Sequence, residues 1–490
     1  MGILSTILAT PAIGILLLAL IPSNNTNQIR FTANFTALVV FLLSLWLVID
    51  YDKLDGGMQF YEHFIFNPKL NTALALGVDG LSLPMIVLAA LLTQTALLAS
   101  FNIALNIKSY YVSILLLELG ILGVFLSQDW SLFYIFWELT LIPLFILIAR
   151  WGGTRRNVAS INFVLYTMGG SIFMLISLLA ISQYMPPHGG TLMSAMTVAA
   201  QSMPRDEQVW VLLGFLIGFG VKMPIFPLHG WLPLAHVEAP SPVSILLSGI
   251  LLKMGAYGMI RVVVMLPEAA QILQTLLVTL ALIGMIYGGV LAWRQTDLKA
   301  MVAYSSVSHM GIILLDIATL NKTGLIGAVL QMTAHGLVAG AMFLLVGLLY
   351  ERTHTRNILD YSSLVRVMPR FALFMTITLF AAMGLPGTVG FIAELHAIVG
   401  GFQEWGNLMI LLGVSILIGA AYAMRTIGML FTGPVKPQMR DIEDLKLYEL
   451  IAAGILVASI VLFGLWPAPL IDLSMATVNQ MNNIINQSIQ

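Results

Sequence analysis

The 490-residue chain contains no cysteine, so disulfides, thiolate-held iron–sulfur clusters and cysteine nucleophiles are excluded together. Charge is scarce too: only 9% of residues are Asp, Glu, Lys or Arg, against about 25% in ordinary soluble domains. That composition excludes a disordered chain and a nucleic-acid-binding surface. The 22 basic and 23 acidic residues nearly cancel, so net charge points to no partner and the information lies in where each charge sits. No Lys or Arg precedes the first apolar run, which reads as a retained helix rather than a cleaved signal, and Gly2 followed by Ser5 is a weak myristoylation match.

What the chain has in abundance is apolar length. With 59% apolar residues and a mean hydropathy of +0.94, it can supply about 14 crossings of about 20 residues each, so the bilayer is its solvent. Apolar runs near 3–22, 32–50, 81–101, 109–127, 130–150, 159–184, 208–228, 241–265, 269–293, 299–319, 324–350, 371–400, 407–431 and 447–470 give fourteen predicted spans. Backbone groups in hydrocarbon must bond within their own segment, and no alternating pattern suggests a barrel, so the expected fold is an all-α integral membrane protein.

Orientation follows from the basic residues. Connections after odd-numbered spans carry 15 Lys and Arg; those after even-numbered spans carry Lys53, Lys69, Arg205, Arg261 and Lys322; Lys222 and Lys253 lie inside spans. This asymmetry places the odd-numbered connections in the cytoplasm or its equivalent, and both termini on the lumenal or periplasmic side.

Two predicted spans are interrupted by proline. The seventh contains Val221-Lys222-Met223-Pro224-Ile225-Phe226-Pro227, and the twelfth contains Gly384-Leu385-Pro386-Gly387, followed by Glu394. The breaks lie five spans apart, each beside an ionisable residue, which is the pattern of inverted repeats with broken helices at ion sites. Proline is also tolerated in membrane helices for reasons of packing alone; the correspondence of two charged breaks favours the functional reading.

The predicted spans hold Glu118, Glu138, Lys222, Lys253, Asp316 and Glu394, with His229, His236, His309, His335 and His396 in or beside them. Each charge at mid-bilayer costs at least about 2.5 kcal/mol, so these groups are expected to face one another or water. Asp316 lies near a span end and is equally compatible with snorkelling; a single His is commonly a hydrogen-bonded interior residue. Glu138 and Lys222 are expected to pair, with freed carbonyls near the ammonium. One such contact at 4 Å and an effective dielectric of 20 is worth about 4 kcal/mol, against about 3.5 kcal/mol to move one charge across about 150 mV. Breaking and remaking the pair can therefore drive roughly one proton, and Lys253 with His229, His236, His309 and His335 extends a line of titratable groups toward Glu394. Glycine-rich phosphate loops, zinc-spaced ligands and a nucleophile triad are not evident, and paired haem ligation by the histidines is disfavoured by the nearby Lys and Glu.

On Phe136-Trp137-Glu138-Leu139, Val221-Lys222-Met223-Pro224, Pro227-Leu228-His229-Gly230-Trp231-Leu232-Pro233, Gly249-Ile250-Leu251-Leu252-Lys253, Ala303-Tyr304-Ser305-Ser306-Val307-Ser308-His309-Met310-Gly311 and Gly390-Phe391-Ile392-Ala393-Glu394, the chain resembles the antiporter-like membrane subunits of proton-pumping NADH:quinone oxidoreductase, the chain 4 or subunit M type of complex I. The resemblance covers essentially the whole length. It implies N-terminal helices over 1–107, inverted five-helix repeats over 108–265 and 266–433, and a C-terminal helix over 434–490. It implies Glu138 and Lys222 as coupling pair, Lys253 as connector, His309 and His335 as relay and Glu394 as exit-side site. Redox chemistry, with its quinone and iron–sulfur clusters, would belong to other subunits, and this chain would hold no cofactor or metal. Implied partners are the lipid bilayer and the other membrane subunits, including neighbouring antiporter-like ones, with no nucleic acid. The wording resembles cyanobacterial more than respiratory bacterial members, which suggests a thylakoid setting, with the bacterial inner membrane as the alternative, and plastoquinone and carbon-dioxide-uptake proteins as further partners. Two departures stand out: Leu234 where the family usually has Asp, and His396 after Glu394. The alternatives are a subunit of a multi-subunit Na+/H+ antiporter, a passive structural spacer and, more remotely, a solute permease.

Overall fold

The computed structural model describes residues 2–67, 72–186 and 189–489; Lys69, counted above among the connection charges, lies outside them. Eleven helical segments among the described residues are long and apolar enough to cross a bilayer. One of the eleven, Val389–Phe431, is 43 residues long and holds two helices, Val389–Trp405 and Ile410–Phe431, so these segments are not a count of crossings to set against the expected fourteen. The shorter apolar helices Ser82–Leu98 and Pro369–Ala382, and Arg205–Lys222 with its charged first turn, stand outside that count.

The interior is built by the segments that carry the candidate residues. Ser241–Met265 and Lys322–Thr353 each contain an 18-residue stretch that is wholly buried and Leu298–Ala318 one that is nearly so, whereas in Ile3–Leu20, Thr26–Asp50 and Arg156–Ser182 most residues of such a stretch are not buried. Small residues allow this closeness: Gly288 approaches the backbone at Ser308, and Gly255 packs onto the backbone of Phe219 and Met223. Ser241–Met265 is not uniformly α-helical, because Leu247–Leu251 forms a π-helical turn just before Lys253.

Both expected breaks are present, and they share a backbone device. Pro224 has no N–H, so the Ile225 amide reaches back to the Gly220 carbonyl at 2.9 Å; at the second break the Leu385 amide reaches Phe380 at 3.0 Å. In the first, the Val221 carbonyl that Ile225 would otherwise have satisfied accepts from the Trp231 indole at 2.8 Å. In the second, Gly384 and Gly387 adopt φ of +69° and +92°, a region costly to any residue with a Cβ.

One face carries structure absent from the sequence reading. Gln59–Asn67 pairs antiparallel with Thr72–Val78 in a hairpin, and helix Ala468–Ile489 follows the last apolar segment. Glu62 of the hairpin accepts from the Leu4 amide at 2.8 Å, and Thr477 of the C-terminal helix donates to the Gly56 carbonyl at 3.1 Å. Both chain ends therefore lie on the same face. There Arg261, counted above as a free connection charge, is a helical residue paired at 2.7 Å with Asp79, both largely shielded.

Candidate functional site

The first group of candidate residues gathers where Trp130–Leu139 gives way to Leu141–Trp151 at Thr140. Lys222, the last residue of Arg205–Lys222, is 1% exposed; its ammonium donates to Thr140 Oγ1 at 3.1 Å and lies 5.1 Å from the Trp137 ring and 5.9 Å from that of Phe163. Such ring faces attract a desolvated cation. The expected Lys222–Glu138 ion pair is not formed within 4.0 Å among the described residues. The reason is helical phase: Glu138 falls on the same face as Ile135 and Ile142, which are 55% and 57% exposed, and it is itself only half-buried with Oε1 unpartnered. Nor do freed carbonyls reach the ammonium, because the Trp231 indole takes the one at Val221. Thr140, which the sequence reading did not single out, holds the place given to Glu138.

Thr140→Val keeps the shape and removes the hydroxyl, so it is expected to cost about 1 kcal/mol of support for the buried ammonium and to slow proton translocation about fivefold. Thr140→Ser restores the acceptor and is expected to restore the rate; both are read as acidification rates in vesicles holding the assembled protein.

The second group is tighter. Lys253, wholly buried, donates to the Ser248 carbonyl at 2.6 Å across the π-helical turn and touches His335 Nδ1 at 2.8 Å. An ammonium has only donors, so while Lys253 is charged Nδ1 accepts and the neutral His335 ring carries its proton on Nε2. The His309 ring stacks on that of His335 at 5.2 Å, and its Nδ1 donates to the Ser305 carbonyl at 2.8 Å. His309, Gln331, His335 and Glu394 line a cavity of about 10 Å³, close to the least space that admits one water. Buried and unpartnered, His335 Nε2 and Gln331 Oε1 supply unused polar capacity beside it. Glu394 is 6% exposed and lies against Gly384, where an added Cβ would overlap the carboxylate. Gln331 is a second residue that the sequence reading missed.

The remaining candidates disperse. His236 is fully buried, its ring stacked on Phe343 at 4.4 Å and both nitrogens unpartnered. His229 lies apart against Phe226 and Tyr287. His396 folds its Nδ1 onto the Ile392 carbonyl at 2.8 Å and is absent from the Glu394 cavity lining. Glu118 is wholly buried with neither carboxylate oxygen bonded, and Leu234 is partly buried. Asp316 does not snorkel: it is wholly buried, with both oxygens unpartnered. Lys299, one of the 15 basic residues counted with the connections after odd-numbered spans, is 3% exposed and donates to the Ala239 carbonyl at 2.7 Å.

A polytopic helical membrane protein with broken helices and buried Lys, His and Glu groups in mutual contact has the build of an antiporter-like membrane subunit. The chain belongs to the NADH:quinone oxidoreductase/Mrp antiporter transmembrane family, whose pattern matches residues 127–419. It is 39% identical over 480 residues to NAD(P)H-quinone oxidoreductase chain 4 1 of Picosynechococcus sp., covering 95% of this chain and 89% of that one. It is 34% identical to NADH-quinone oxidoreductase subunit M of Rickettsia conorii, with 98% of each covered. Among solved structures, a chain of respiratory complex I from Thermus thermophilus with bound NADH superposes with a TM-score of 0.90 at 28% identity, covering 98% of this chain and 99% of its own.

Proposed function

We propose that this chain is a proton-translocating membrane-arm subunit of an NAD(P)H- or ferredoxin:quinone oxidoreductase, driven by redox chemistry in other subunits that hold the quinone and iron–sulfur clusters. The observation that carries the reading is the Lys253–His335 contact opening onto the Glu394 cavity. A charged Lys253 passes a proton to His335 Nδ1, Nε2 releases its own into the cavity, and the Glu394 carboxyl takes it up. Lys222, resting on Thr140, is the input group. Glu138, on a face partly open in the single chain, is placed to be met by a neighbouring antiporter-like subunit; its approach or withdrawal would set the charge at Lys222.

The repeat division into 1–107, 108–265, 266–433 and 434–490 belongs to this proposal, supported by the matching amide reach at the two breaks. So do the lumenal or periplasmic placement of both termini, the thylakoid setting, plastoquinone as acceptor and carbon-dioxide-uptake proteins as partners, supported by the basic-residue asymmetry and the cyanobacterial relatives. A subunit of a multi-subunit Na+/H+ antiporter is the second reading, favoured by the family description itself.

The test uses vesicles holding the assembled complex, energised by its electron donor. Glu394→Gln is expected to lower protons moved per electron at least about tenfold while the complex assembles. Unchanged pumping refutes the relay and leaves a spacer; proton movement driven by a Na+ gradient without quinone reduction selects the antiporter.

A further inference from the structure

Asp316, like Glu118, is a buried acid that the relay above leaves unused. It lies in Leu298–Ala318, two turns beyond His309, and Thr319 accounts for its backbone carbonyl but not its carboxylate. The carboxylate rests on Lys322–Thr353 at Gly327, where an added Cβ would stand 3.0 and 3.1 Å from its two oxygens. One helical turn further along that helix, about 6 Å away, is Gln331, whose unpartnered oxygen lies beside the Glu394 cavity. In the other direction the chain soon reaches the rim. Gln274 donates to the Ala318 carbonyl and to the exposed Glu404 carboxylate, both at 3.1 Å, and Asn321 donates to the Gly400 carbonyl at 2.9 Å. His309, Gln331, Asp316 and Glu404 thus descend in order from the mid-membrane cavity to one membrane face.

Resting on the relay proposed above, we infer that Asp316 is a proton-transfer residue forming the outlet between the Gln331–Glu394 cavity and the membrane face at Ala318 and Glu404. A carboxyl can accept a proton on one oxygen and release it from the other, and the bare backbone of Gly327 is what lets the carboxylate stand against the helix that carries Gln331. A purely structural Asp would have bonded donors against its oxygens, and this one has none. The step is a proton exchange, with no other bond made or broken.

The experiment compares Asp316→Asn, Asp316→Glu and Glu394→Gln in vesicles holding the assembled complex, and labels the unmutated complex with a membrane-permeant carbodiimide, which adds to a protonated carboxyl to leave an acylurea. Asp316→Asn is expected to lower protons moved per electron at least about tenfold, with most of the loss recovered in Asp316→Glu. An acylurea is expected on the peptide holding Asp316. Full pumping in Asp316→Asn, or no adduct on that peptide under conditions that label Glu394, overturns the outlet. If Asp316→Asn pumps normally while Glu394→Gln does not, the outlet fails and the relay survives; if neither substitution changes pumping, the relay itself fails. Should Asp316→Asn not assemble, the labelling result decides alone.

Discussion

Lys253→Met is expected to reduce the protons moved by this chain about a hundredfold, the lower end of what a positioned proton-transfer group contributes, while leaving the protein folded. The two halves of that expectation have opposite physical origins. Keeping an ammonium away from water costs several kcal/mol, which the Ser248 carbonyl and His335 only partly offset, so replacing it with an apolar side chain of similar length is neutral or stabilising. Yet the same replacement removes the only donor on His335 Nδ1 among the described residues. The ring then has no route by which a proton entering at one nitrogen expels a proton at the other, and the cavity at Glu394 loses its supply from the position of Lys253. Lys253→Arg is expected to fail as well: a guanidinium is planar and does not lose its proton, so it can hold the site but cannot hand anything on. The measurement is acidification per electron transferred in vesicles, with assembly followed by native electrophoresis. Pumping retained in Lys253→Met with assembly intact contradicts the role given to the residue.

How far such a site can be read in advance depends on which physical quantity fixes each part. The span over 241–265 was legible to the residue, because Pro240 and Pro267 punctuate an apolar run and hydrocarbon leaves the backbone only one solution. The two breaks were legible for the same reason, proline being unable to donate. Membership of Lys253, His309, His335 and Glu394 in one buried group was legible from the cost of charge in lipid. The partner of Lys222 was not, since the phase of Glu138 and Thr140 around their helix relative to a second helix is set by packing between them. Depth near a span end was equally hidden: Lys299 and Arg261 lie at the ends of the predicted runs 299–319 and 241–265 and count with the connection charges, and tertiary contacts with Ala239 and Asp79 hold them inward. The π-helical turn at Leu247–Leu251 has an ordinary helical pattern, and only the reach of Lys253 to Ser248 shows its use. The hairpin and the C-terminal helix are not long apolar runs, so the apolar-run criterion carries no signal for them.

Gly384→Ala and Gly387→Ala form a matched pair that separates backbone strain from the site. Both glycines hold positive φ in the second break, +69° and +92°, and a Cβ in that region costs about 1–2 kcal/mol at either position. Their surroundings differ. At Gly387 the nearest atom to a new Cβ is a Leu465 methyl 3.7 Å away, an ordinary contact, so the substitution is expected to lower stability by the strain alone and leave pumping within about twofold of normal. At Gly384 the new methyl falls on the Glu394 carboxylate. The carboxylate must leave the place it holds beside the His309–Gln331–His335 lining, and any gap this opens is one that a proton cannot cross. Displacement by one methyl radius is the scale on which proton transfer is lost, since donor and acceptor must stand about 2.6–3.2 Å apart or share one water. Gly384→Ala is therefore expected to match Gly387→Ala in thermal stability to within about 1–2 kcal/mol yet pump at least about tenfold more slowly. The Gly464 contact behind the break sharpens this: that glycine packs on the backbone of Thr388, so the break cannot retreat as a unit to restore the distance. Equal pumping by the two variants would mean that Glu394 transfers its proton without the position the break imposes.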